Sequence, residues 1–154
     1  MNHYTQLLIF IKSLGESDPF INTVTRDGDV DLDTNKMNVF PLLDIYIAGG
    51  SFSNGKTVNF DVELTCVDIR DINKEIVNDK FWKNDNEVDN HNETLATINR
   101  IWTSMYRDFE RNDITASENP SLEKITLDYK NLLDGWKLTF EVEMPNTTLN
   151  LCDE

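Results

Sequence analysis

The sequence of 154 residues predicts an α+β fold: two antiparallel hairpins forming a sheet, packed by two amphipathic helices. Three observations carry that reading. The stretch from Val39 to Ile69 alternates apolar and polar residues on either side of Asn54-Gly55, a pair suited to a two-residue turn with positive φ. Residues 122 to 144 repeat the arrangement around Asp134-Gly135. Residues 2 to 14 and 91 to 111 instead place their apolar side chains at helical spacing.

In chain order, the first helix carries Tyr4, Leu7, Leu8, Ile11 and Leu14 as a stripe, with Gly15 at the C′ position to end it. Asp18-Pro19 then breaks the chain, and Phe20-Ile21-Asn22-Thr23-Val24-Thr25 is β-branched enough for a short strand. Asp27 to Asn38 is a polar connection in which Asp27, Asp29, Asp31 and Asp33 alternate. A calcium loop of the EF-hand kind begun at Asp27 would need glycine where Leu32 stands and glutamate where Asn38 stands. A solvated, self-repelling loop is the better reading.

In the first hairpin, with Ser53 and Lys56 flanking the turn, Gly49 opposes Phe60, Ile47 opposes Val62, Ile45 opposes Leu64 and Leu43 opposes Cys66, all on one face. Tyr46 with Glu63 and Asp44 with Thr65 take the other face. Val67 and Ile69 break the parity, which points to a bulge near Cys66. Asp71 to Val88 is a long excursion. Ile72, Ile76 and Val77 suit a turn or two of helix, while Phe81 and Trp82 need a surface to bury on; length and aromatics together suggest assembly.

Asn90 as N-cap with Glu93 three residues on opens the second helix, whose stripe runs Leu95, Ile98, Trp102, Met105 and Phe109, widened by Ile101 and Tyr106. After Asn119-Pro120 the second hairpin pairs Ile125 with Met144, Leu127 with Val142, Tyr129 with Phe140 and Leu133 with Trp136. Residues 146 to 154 read as a free tail or docking arm.

Composition narrows the function. With 39% hydrophobic residues and three tryptophans, the chain suits one core and a single domain over 1–154. It has no basic leader and no apolar run near the roughly 20 residues of a membrane span, so a cytosolic site of synthesis is expected. Cys66 and Cys152 lie far apart and read as reduced thiols. A net charge of −14 argues against a sheath of contacts to DNA phosphates, although an acidic surface suits the wall of a passage through which DNA moves without sticking.

No catalytic constellation emerges, and neither an enzyme nor a cofactor or metal is expected. His3 and His91 have no base partner in the sequence and read as exposed polar residues. Gly49-Gly50-Ser51 and Ser53-Asn54-Gly55 lead into no helix, so they make no phosphate loop. Asp61 with Glu63, and Glu141 with Glu143, sit on polar strand faces without the apolar pocket a glycosidase pair needs.

The order helix, strand, hairpin, excursion, helix, hairpin resembles the tail-terminator (tail-completion) proteins of long-tailed bacteriophages, over nearly the whole chain. The local resemblance lies in Asn38-Val39-Phe40-Pro41-Leu42, in Cys66-Val67-Asp68-Ile69, in Asp79-Lys80-Phe81-Trp82 and in the Asn90 to Asn112 helix. It implies a virion protein, made in the host cytoplasm, that forms a homo-oligomeric ring of six on the head-proximal end of the tail tube. Its partners would be the tail tube protein, the head-tail connector protein, and genomic DNA passing through the lumen unbound. On that reading Phe81 and Trp82 anchor the subunit interface, and Asp27, Asp29, Asp31 and Asp33 line the rim or lumen, a loop on the outer wall being the alternative for the aspartates. A head-completion or connector protein of the neck, and a monomeric acidic binding module or inhibitor, are the alternatives; solution mass separates ring from monomer.

Overall fold

The computed structural model describes residues 3–28, 39–71, 75, 77–112, 114–129 and 132–146. The chain forms α1 (His3–Ser17), β1 (Thr23–Arg26), β2 (Leu42–Ser53), β3 (Thr57–Ile69), α2 (Glu87–Arg111), β4 (Thr115–Ala116), β5 (Ser121–Asp128) and β6 (Leu133–Pro145). The six strands make one mixed sheet in the order β1-β2-β3-β6, with β4 and β5 sharing the outer edge of β6. Only β1 and β2 run parallel. The α+β class is as expected.

Both helices cover one face of this sheet. Alternation along β2, β3 and β6 sends Leu43, Ile45, Val62, Leu64, Cys66, Phe140 and Val142 to that face, where they meet Leu7 and Ile11 of α1 and Ile98, Ile101, Met105 and Phe109 of α2. Cys66 lies at the centre, wholly buried as a free thiol. Gly15 does not end α1 but lies inside it. A Cβ there would come within 2.8 Å of Leu43 Cδ2 and 3.0 Å of Val24 Cγ2, so the missing side chain is what lets helix and sheet approach.

The first hairpin keeps the expected pairs Leu43–Cys66, Ile45–Leu64 and Ile47–Val62. Nearer the turn the register differs by one. Ser53 pairs with Thr57, and a bulge at Ala48 cancels the offset, so Phe60 faces Gly50 rather than Gly49. No bulge occurs near Cys66: β3 stays in register with β6 from Thr57 to Ile69. Val67 and Ile69 break the pattern because the far end of the sheet is covered on both faces. Phe40, Leu42, Val67, Ile125 and Leu133 form a second, smaller core on the side away from the helices.

The second hairpin is the larger correction. Asp134-Gly135 is no turn but lies within β6, and Ile125 pairs with Gly135, Lys124 with Trp136, Leu122 with Leu138 and Asp128 with Leu133. The chain reverses between the end of β5 at Asp128 and the start of β6 at Leu133; Leu132 N–H donates to the Tyr129 carbonyl at 3.2 Å, and Tyr129 and Leu132 both have positive φ. Gly135 is needed for another reason: a Cβ there would overlap the Cys66 carbonyl and come within 2.9 Å of Val67 Cα. The helix start also moves. α2 begins at Glu87 after Asn86, and Asn90 is a buried residue inside it rather than its cap.

Candidate functional site: an aromatic turn braced by buried ion pairs

Ahead of α2 the chain makes a short turn built on Asp79. Its Oδ1 accepts from the backbone N–H of Phe81 at 3.0 Å and of Trp82 at 3.2 Å, while Lys83 N–H donates to the Asp79 carbonyl at 3.1 Å. A local carboxylate thus fixes the backbone in place of secondary structure. The turn presents Phe81 at 78% exposure and Trp82 at 60%, their rings edge to face with centroids 4.9 Å apart. Lys80 and Lys83 flank them, both exposed. The expected burial of these aromatics does not occur within the described part of the subunit; Ile72 and Ile76 lie outside the described residues.

Below the turn, side chains tie the entry to α2 onto the end of β3. Asn86 accepts from Asp71 N–H at 2.6 Å and donates to the Ile69 carbonyl at 3.1 Å, and Asn90 Nδ2 donates to the same carbonyl at 2.9 Å. Beside them Arg70, with 8% of its side chain exposed, donates from Nε and Nη2 to both carboxylate oxygens of wholly buried Asp134, at 2.6 and 2.8 Å. Arg70 Nη2 also lies 3.2 Å from Glu87, and Leu127 N–H donates to Asp134 at 3.0 Å. The hydrogen bonds that Arg70 donates to Asp134 hold its guanidinium above its ordinary pKa against the opposing effect of burial. A bidentate pair of this kind fixes orientation.

A second carboxylate–guanidinium pair joins the helices. Asp18, 9% exposed at the end of α1, takes both its oxygens to Arg100 of α2 at 2.9 Å. Burial alone would raise the Asp18 pKa, but hydrogen bonds from Arg100 and from Phe20 N–H outweigh it and hold the carboxyl below its ordinary 3.8. Burial pushes Asp68 the other way. The Cys66 thiol is pushed far up by burial, so it stays protonated and unreactive.

His91 is a correction too. It is buried at 8% exposure, its Nε2 donating to the Ile125 carbonyl at 2.7 Å, and its own carbonyl accepts from Trp136 Nε1 at 2.9 Å. It stitches α2 to β5 and β6, structural work that no sequence spacing signalled. The same holds for Arg70 with Asp134 and for Asp18 with Arg100, whose members are 64 and 82 residues apart.

Of the four aspartates of the acidic connection, Asp27 alone is among the described residues. It is exposed, has φ 65°, and lies 3.0 Å from Arg26 Nε. Asp29, Asp31 and Asp33 lie outside the described residues. Asp61, Glu63, Glu141 and Glu143 do stand on the polar face of β3 and β6, with Asp61 directly opposite Glu141. Among the described residues, no three His, Cys, Asp or Glu side chains are placed to hold a metal ion, and no helix is long and apolar enough to cross a membrane. No protein-family model matches the sequence, and no curated protein does.

Proposed function

We propose that the chain is a non-enzymatic structural protein that assembles as a ring, in the manner of the phage tail terminators it resembles. It would cap the head-proximal end of the tail tube and present its other side to the head connector. The observation that carries this reading is the Phe81–Trp82 pair. Two large aromatics at 78% and 60% exposure cost a lone subunit apolar hydration, yet Asp79 holds them in a fixed geometry, as interface anchors require. The α+β architecture and the charge of −14 are compatible with the reading. Asp27, Asp29, Asp31 and Asp33 would then face the rim or lumen, where they deny passing DNA any cation to hold.

The test is sedimentation of the wild type and of Phe81→Ala/Trp82→Ala, alone and mixed with tail tube protein. The wild type should form rings, and the variant should keep its circular dichroism spectrum and stay monomeric. A variant that still forms rings, or one that unfolds, overturns the anchoring role of these residues.

A further inference from the structure

The aromatic turn and the open part of the sheet lie at opposite ends of β3. The turn is tied to the Ile69 end through Asn86 and Asn90. Eight residues away, roughly 25 Å at strand rise, no described residue covers the side of the sheet away from the helices around Asp61. The second core covers that side near Leu42, Val67 and Leu133, and burial continues as far as the Asp44–Thr65 pair.

Among the described residues, what this end of the face presents is negative. The registers set Asp61 opposite Glu141, Asn59 opposite Glu143, and Glu63 between Thr139 and Tyr46. Asp61, Glu141 and Glu143 are exposed, Glu63 is half-buried, and Tyr46 keeps 40% of its surface in water. The neighbours in register on this face are Gly49, Ser51, Asn59, Thr115 and Thr139, none of them a cation. The nearest lysine on the face, Lys137, stands farther along β6 between Thr65 and Glu123. Carboxylates directly opposite one another cost stability in the free subunit. A positive partner would relieve that cost.

The same chain carries such a partner at its other end: Lys80-Phe81-Trp82-Lys83, a short basic run with exposed aromatics in a protein with twice as many acidic as basic residues. We propose that the aromatic turn of one subunit docks on the acidic sheet face of the next. Lys80 and Lys83 would meet Asp61, Glu63, Glu141 and Glu143, and the rings would lie over Tyr46 and the bare backbone at Gly49. This rests on the ring reading and names its receiving surface. Because donor and acceptor patches occupy opposite ends of the sheet, the contact is head to tail, and a head-to-tail contact that closes makes a ring.

The experiment mixes variants of the full chain. Phe81→Ala/Trp82→Ala spoils the turn and Asp61→Lys/Glu141→Lys spoils the face, so each alone should be monomeric. Together they hold one intact turn and one intact face, and sedimentation should show a 1:1 dimer and nothing larger. Lys80→Glu/Lys83→Glu mixed with Asp61→Lys/Glu141→Lys restores opposite charge at every contact, so rings should return although neither variant forms them alone. Raising salt should weaken the wild-type contact by about tenfold. If wild type forms rings but the first mixture stays monomeric, or the face variant forms rings by itself, the receiving face is wrong and the ring reading stands. A wild type that is monomeric both alone and with tube protein overturns both.

Discussion

Asn54-Gly55 and Asp134-Gly135 offer the same chemistry to a reader of the sequence and end in opposite structural roles. The first is a turn. Asn54 and Gly55 have φ of 52° and 65°, Lys56 N–H closes the turn on the Ser53 carbonyl at 3.0 Å, and a Cβ on Gly55 would meet nothing within 4 Å. The second pair lies inside the sheet, where Asp134 is the buried partner of Arg70 and Gly135 makes room for the backbone of β3. Glycine serves backbone conformation in one place and interstrand distance in the other. Only the first requirement is local.

Alanine at the two glycines separates these roles. Gly135→Ala drives a methyl group into the Cys66 carbonyl from which β3 cannot withdraw without losing its register, so the expected cost exceeds about 4 kcal/mol. Urea unfolding should find little folded protein. Next in size, Asp134→Ala leaves Arg70 charged, buried and without its bidentate partner, at a cost of about 3–5 kcal/mol by the same measurement. Gly55→Ala asks only that a residue with a side chain accept a left-handed backbone in open space, about 1 kcal/mol. Should Gly55→Ala cost as much as Gly135→Ala, the contrast drawn between them fails.

Local chemistry of this kind was legible in the sequence, and long-range chemistry was not. The Asn54-Gly55 hairpin was legible because turn and alternation reinforce each other over adjacent residues; even its miscounted register at Phe60 returns to the expected pairs beyond the Ala48 bulge. The helical stripes were legible for the same reason, and their buried members Leu7, Ile11, Ile98, Met105 and Phe109 lie where periodicity puts them. What escaped was set by distant partners. Val67 looked like a parity error because Phe40, Ile125 and Leu133, from three other segments, bury the second face of the sheet. Asn90, with Glu93 three residues on, has the pattern of a cap, but its side chain instead donates to the carbonyl of Ile69. At the candidate site, Phe81 and Trp82 stood out as large aromatics in a polar stretch, whereas the Arg70 and Asn86 contacts that brace the turn from below left no local pattern.

The wholly buried Cys66 gives the sheet an internal clock. Its sulfur sits under both helices and in register with Leu43 and Trp136, and burial keeps the thiol protonated. A thiol reagent can therefore reach it only when the strands and helices part. With Cys152 replaced by serine, the labelling rate of Cys66 reads how often a subunit opens, and comparing that rate at low and high protein concentration measures how much association slows the opening.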